Sequence, residues 1–143
     1  MTYSVYGERG SIDVLAWHSA TRTLLVVEIK TDIVSIEETL RKHDEKVRLA
    51  PRIATEQLGW ATGNAARLLV LPSLATARRR VERHGQVLSG AYPERGARLR
   101  TWLAAPAPGQ WAGILFIESA DVRSAVGRKR IRGSGPGRAD SAD

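Results

Sequence analysis

Cysteine is absent from this chain of 143 residues, and methionine and phenylalanine occur once each. Without cysteine the chain can form no disulfide framework, thiolate metal site, thiol nucleophile or cysteine-ligated iron–sulfur cluster. The three histidines are isolated in the sequence, so no histidine cluster indicates a zinc site or a catalytic base. The serines show no nucleophile-elbow pattern either. These absences exclude several classes of catalytic and structural site.

Long hydrophobic runs are lacking as well. No stretch approaches the roughly 20 apolar residues that a membrane-spanning helix needs. The first residues, MTYSVYGERGS, lack the apolar core of a signal peptide. We therefore expect a cytoplasmic protein with no membrane partner.

The composition is 43% hydrophobic and 26% charged, which is the balance of one ordinary folded domain. A domain of this size buries roughly 70% of the surface of its unfolded chain and needs no disulfide or structural metal. We expect a single domain over residues 1–122. The remaining residues, 123–143, are basic and rich in Gly and Ser, which predicts a disordered tail.

The charge is unevenly distributed. The chain has 22 Lys and Arg against 15 Asp and Glu, a net charge of +7. Residues 1–70 contain nine basic and nine acidic side chains, whereas residues 71–143 contain 13 basic and six acidic ones. The excess of positive charge therefore lies entirely in the second half. It favours a polyanionic partner such as DNA, with solvated surface as the alternative.

Apolar patterning predicts an α/β domain. The predicted order is three strands, a helix, a strand, a helix and a last strand, in which antiparallel hairpins precede a helical crossover to a parallel strand. The segment between the second helix and the last strand is rich in Gly, Pro and Ala and shows only weak periodicity. The strands are predicted at 2–8, 10–18, 22–31, 66–72 and 111–119, and the helices at 35–58 and 73–84.

The first predicted helix has clear boundary signals. Ser35 followed by Glu38 fits a capping box at its start, and Gly59 marks its end. Pro51 is expected to kink the helix or to begin a second one.

Three ionisable residues occupy positions where apolar residues are expected. Asp13 interrupts the second predicted strand, and Glu28 and Lys30 interrupt the third. Side chains alternate along a strand, so Glu28 and Lys30 lie on the same face, about 7 Å apart. If the intervening hairpin has a four-residue loop, paired residue numbers sum to 41 and Asp13 lies opposite Glu28. A loop one residue longer or shorter would separate the three groups.

Two carboxylates on neighbouring strands are suited to Mg²⁺ or Mn²⁺, since such ions favour carboxylate ligands together with water and substrate phosphate. A lysine beside the metal could orient the attacking water and offset negative charge in the transition state. The predicted chemistry is phosphodiester hydrolysis. The alternative is a structural pair between Lys30 and a carboxylate.

The runs GSIDVLAW (10–17) and VVEIKT (26–31), joined by a short hairpin and followed by an amphipathic helix, resemble the PD-(D/E)XK nuclease superfamily. This superfamily is also called restriction-endonuclease-like, and the similarity is greatest to its Holliday-junction-resolvase-like branch. The resemblance covers about residues 5–72. It implies a restriction-endonuclease-like α/β/α core with a mixed sheet and a metal-dependent endonuclease, a DNA hydrolase.

The resemblance also implies a role for each matching residue. Asp13 and Glu28 correspond to the metal-binding acids, Lys30 to the catalytic lysine, and the carbonyl of Ile29 to a main-chain metal contact. The core of the superfamily opens with a helix that often carries a third acidic residue. That helix is missing from the elements predicted here, and Glu8, on the first strand, is the nearest acidic candidate.

Several basic residues are candidate contacts to nucleic acid, with solvated surface or tail as the alternative for each. They are Lys42, Lys46, Arg78, Arg79, Arg80, Arg128, Lys129 and Arg130. The four tryptophans are interpreted as core residues and not as base-stacking platforms.

Two other functions stay open. The domain could be a catalytically inactive nuclease-fold module with a DNA-binding or regulatory role, for instance as part of a larger helix-turn-helix protein. It could also be an interaction domain with no role on nucleic acid. The sequence leaves open whether the protein forms a homodimer.

Overall fold

A computed structural model describes residues 1–5 and 7–118, and within these residues the chain forms six strands and four helices. Strands β1 to β6 span Thr2–Val5, Glu8–Ser11, Val14–His18, Thr23–Ile29, Asn64–Pro72 and Ala112–Ile117. Helices α1 to α4 span Ile36–Leu58, Ala75–Arg83, Gly85–Ala91 and Gly96–Ala104.

The main sheet has four strands in the order β3-β4-β5-β6. Strand β3 pairs antiparallel with β4, whereas β4, β5 and β6 are parallel neighbours. Strands β1 and β2 form a separate antiparallel pair. The protein is therefore an α/β protein with a mixed four-stranded sheet, as the order of predicted elements indicates.

Helices cover both faces of this sheet. On one face, Leu24 and Val26 of β4 pack against Leu49 and Ile53 of α1. Helices α2 and α3 cover the same face beside α1, through Val81 and Leu88 packed with apolar side chains of β5 and β6. On the opposite face, α4 packs against β4 and β5, mainly through Leu99. The central strands are thus buried on both sides, which explains their nearly continuous apolar sequences.

Helix α1 begins and ends at the residues that the sequence indicates. The Ser35 hydroxyl accepts a hydrogen bond from the Glu38 backbone N–H at 3.3 Å. Gly59 adopts a left-handed conformation with φ of 68° and donates its N–H to the carbonyls of Ala54 and Thr55, one turn back in the helix. Pro51 lies inside the helix and does not start a second one. Proline removes only one backbone donor, and the buried side chains on either side of Pro51 pack on the sheet.

Gly59→Ala is expected to lower the free energy of unfolding by about 1 kcal/mol, because a Cβ is disfavoured in the left-handed region. No atom lies within 4 Å of the position of that Cβ, so the cost is conformational and not steric. Gly90→Ala, inside α3 and equally open, is the matched control and should be neutral or slightly stabilising. Urea denaturation of both variants measures the difference, and equal effects would contradict this account of the helix end.

The structure corrects two parts of the predicted element map. The predicted strands 2–8 and 10–18 are instead three shorter strands, because the chain reverses at Gly7, whose φ is 79°, and again leaves the strand conformation at Ile12. The segment 85–110 contains helices α3 and α4, which show little periodicity but bury Leu88, Leu99 and Trp102. The predicted tail, 123–143, lies outside the described residues.

Within residues 1–5 and 7–118, none of the helices combines the length and the apolar character needed to cross a membrane.

Candidate functional site

The register of the β3–β4 hairpin is the predicted one. Val14 pairs with Val27 and His18 with Thr23, so paired numbers sum to 41. Extending this pairing by one residue places Asp13 across from Glu28. The Asp13 carboxylate accepts a hydrogen bond from the Ile29 backbone N–H at 2.9 Å, which joins the residue before β3 to the end of β4.

Glu28 is the buried centre of the site, with 4% of its surface exposed. Two ammonium groups lie beside its carboxylate. Lys46 Nζ, from α1, is 2.6 Å from Oε2 and donates a hydrogen bond to it. Lys30 Nζ, from the residue that follows β4, is 3.7 Å from Oε1. A buried carboxylate needs such partners, because an unpaired charge inside a protein is strongly destabilising.

Lys30 lies between the interior and the solvent. Its backbone N–H donates to the Val70 carbonyl at 2.9 Å, which continues the parallel pairing of β4 with β5. Its side chain is 34% exposed, against 6% for the side chain of Glu28. Lys30 therefore reaches Glu28 from one pleat along the chain and remains accessible to a ligand from solvent.

Glu8, the candidate third acid, is paired with a residue of α1. It lies on β2, outside the main sheet, and its carboxylate is paired with Arg48 at 2.5 Å. Across residues 1–5 and 7–118, no three acidic or histidine side chains come together in a group that could hold a metal.

The predicted nucleic-acid contacts divide into three groups. Lys42 is on the exposed face of α1, where it pairs with Glu38 at 3.0 Å. Lys46 was expected on the surface but is buried against Glu28. On α2, Arg78 and Arg79 are exposed, and the Arg78 guanidinium lies 4.4 Å from the ring centre of Phe116. Arg128, Lys129 and Arg130 lie outside the described residues.

Arg80 of α2 has a local role that its sequence position does not reveal. Its guanidinium lies 3.1 Å from the Asp32 carboxylate and donates to the Ile33 carbonyl at 3.1 Å. These contacts connect α2 to the loop between Lys30 and α1. They order the segment that follows the candidate site.

A second buried polar pair lies next to this site, and the sequence did not indicate it. His43 of α1 is fully buried, and Tyr92 follows α3. Nε2 of His43 lies 3.0 Å from the Val26 carbonyl, which can only accept, so Nε2 carries the proton. Nδ1 is then the acceptor for the Tyr92 hydroxyl at 2.6 Å. Burial lowers the pKa of His43 to about 4 and raises the pKa of Tyr92.

A cavity of about 610 Å³ lies at the other end of the sheet. Its walls include Asn64, which begins β5, Trp111, which precedes β6, and the ion pair between Arg67 and Asp44. It does not include Asp13, Glu28 or Lys30. The cavity and the carboxylate site are therefore separate features of the fold.

The donor atoms at Asp13 and Glu28 are of the kind that Mg²⁺ or Mn²⁺ prefers. Both are carboxylates: Glu28 lies on β4, and Asp13, the residue before β3, accepts a hydrogen bond from the backbone N–H of the neighbouring Ile29. Such ions commonly bind one or two protein carboxylates and complete their coordination with water and phosphate. The residues fit a divalent ion in donor type, with the Lys46 ammonium as a competitor for Glu28.

Comparison of this chain with protein-family models, with curated protein sequences and with solved structures finds no match. The fold and the site by themselves define an α/β protein with a mixed four-stranded sheet and a buried carboxylate–lysine cluster.

Proposed function

We propose that this protein is a metal-dependent endonuclease that hydrolyses DNA phosphodiester bonds. The observation that carries the proposal is the β3–β4 register, whose extension by one residue sets Asp13 across from Glu28, with Lys30 one pleat further along the same chain and 3.7 Å from Glu28. This is the arrangement expected from the resemblance to the PD-(D/E)XK superfamily, and we extend the proposal to a restriction-endonuclease-like core. The proposed cofactor is Mg²⁺ or Mn²⁺.

Asp13 and Glu28 would hold the ion through their carboxylates, with the carbonyl of Ile29 as a further oxygen donor. When bound, the ion would polarise the scissile phosphate and lower the pKa of a coordinated water. Lys30 is the half-exposed cation of the cluster and would orient the attacking water by donating to it. Its positive charge would also offset the charge that develops on the phosphate in the transition state.

The basic surface of α2 supports a polyanionic substrate. Strands β4 and β5 are parallel, so the loops that follow them lie at the same edge of the sheet. Arg80 joins α2 to the loop after Lys30, and Arg78 and Arg79 are exposed on the same helix. Arginine side chains beside a hydrolytic site would neutralise backbone phosphates of DNA.

The test is the nicking of supercoiled plasmid in Mg²⁺ or Mn²⁺. We expect nicking by the wild type only with metal, and a fall of roughly a hundredfold in Lys30→Ala and Asp13→Ala, the usual scale for losing a positioned group in the transition state. Arg98→Ala is the control, because Arg98 is an exposed cation of α4, on the opposite face of the sheet, where it pairs with Glu94 at 2.9 Å. Equal nicking by all four proteins would identify a contaminant and overturn the proposal.

A catalytically inactive DNA-binding or regulatory module is the second candidate. It is favoured by the two lysines at Glu28, because the cluster is already neutral from its own side chains. Binding of the same plasmid without nicking, with a steep dependence on salt, would support this candidate over the enzyme.

A further inference from the structure

Lys46 is the most deeply buried cation of the cluster. Its side chain is 11% exposed, and its ammonium lies 2.6 Å from Oε2 of Glu28. Lysine is almost never buried to this degree unless it is paired. By contrast, Lys42, one helical turn earlier, is 49% exposed. The interior position of Lys46 therefore requires the Glu28 carboxylate.

The charges of the cluster balance without an added ion. Asp13 and Glu28 supply two negative charges, and Lys30 and Lys46 supply two positive charges. The two lysines lie at different oxygens of Glu28, and Lys46 makes the much shorter contact. A divalent cation that bound Oε2 of Glu28 would have to displace the Lys46 ammonium from that oxygen.

We infer that Lys46 is a positioning residue that occupies the cation position at Glu28 and thereby sets the affinity of the site for a divalent ion. The inference rests on the proposed function, since it concerns the same carboxylates. Lys46 holds Glu28 in its buried rotamer before metal enters. Its flexible four-carbon stem allows the ammonium to withdraw, and it remains a charge that repels the incoming ion.

Removal of the Lys46 charge should therefore tighten metal binding. The variant Lys46→Gln removes the closer of the two cations at Glu28, so an added divalent ion gains a freed Oε2 ligand and a less positive site. We expect the affinity for Mn²⁺ to rise roughly tenfold to a hundredfold, the scale of a unit charge acting at short range near a protein surface. The thermal midpoint of this variant should fall without metal and recover on its addition.

The experiment titrates the full chain with Mn²⁺ and follows the free ion by electron paramagnetic resonance, a readout independent of nuclease activity. Lys42→Gln is the matched control on the same helix and should bind as the wild type does. Lys46→Arg keeps the charge and should not gain affinity. Lys46→Met, which keeps the unbranched stem, replaces Lys46→Gln if that variant does not fold.

Equal Mn²⁺ affinity in the wild type, Lys46→Gln and Lys46→Met would overturn the inference, even where the variants are less stable, because that is the result of a purely structural lysine. If nicking by the wild type persists in that case, the proposed function stands without the role of Lys46. Absence of Mn²⁺ binding in every variant would instead remove the metal site and the proposed function together.

Discussion

Glu28→Ala is expected to lower the free energy of unfolding by about 3–5 kcal/mol, the usual cost of removing one partner from a buried ion pair. The loss arises because the Lys46 ammonium stays in a position that is 11% exposed, with its 2.6 Å partner gone. Lys30 contributes less, since it can turn into solvent. Urea denaturation at neutral pH measures the effect.

Glu38→Ala is the matched control for this prediction. Its partner Lys42 is at a similar distance, 3.0 Å, but both side chains are about half exposed, so the loss should not exceed about 1 kcal/mol. The double variant Glu28→Leu with Lys46→Met should recover most of the stability, because it removes both buried charges together. A Glu28→Ala variant as stable as Glu38→Ala would show that the buried pair does not support the fold.

Acidification from pH 6.5 to pH 4 should remove about 3 kcal/mol of stability through His43 alone. Burial is the main cause of the lowered pKa of His43, about 4 against 6.5, and the nearby positive charges of Arg67 and Lys46 act in the same direction. The hydrogen bond to Val26 and the charge of Asp44 oppose the shift. The unfolded chain therefore binds a proton at His43 at a higher pH than the folded chain does. This contribution is fully present above pH 6.5 and is lost as the pH falls towards 4.

His43→Gln removes the titrating group while its amide can still donate to the Val26 carbonyl and accept from Tyr92. This variant should be less stable than the wild type at pH 7 but should lose about 3 kcal/mol less between pH 6.5 and pH 4. His84→Gln, at an exposed position, is the control and should behave as the wild type does. Denaturant titrations at the two pH values give the comparison, and parallel losses in all three proteins would contradict the assignment to His43.

The register of the β3–β4 hairpin could be predicted, because a four-residue loop and a strict two-residue alternation are both visible in the sequence. Extending that register by one residue places Asp13 across from Glu28. Lys30 follows Glu28 by one pleat for the same reason. Metal binding, DNA cleavage and membership of a nuclease superfamily stay predictions, and nicking and Mn²⁺ titration test the first two.

Contacts between distant segments could not be predicted in this way. Lys46 meets Glu28 across 18 positions, and Tyr92 meets His43 across 49. In the sequence, Lys46 lies in a charged helical stretch and His43 is one of three isolated histidines. Their environments depend on how α1 and α3 pack on the sheet. Helices α3 and α4 could not be predicted for a similar reason: single buried side chains such as Leu88 and Leu99 hold them in place, and their sequences have no repeating apolar pattern.

Local sequence thus specifies those features of this protein that depend only on residues near one another in the chain. These are the Ser35 cap, the left-handed Gly59, the β3–β4 register and the apolar strands β5 and β6. Tertiary structure decides which polar groups lose their water. Packing of α1 on the sheet places Lys46 and His43 in the interior, where a charge or a lone ring nitrogen needs a partner from another element. Burial from water depends on the assembled fold. The buried carboxylate–lysine cluster and the lowered pKa of His43 can therefore be recognised only in the tertiary structure.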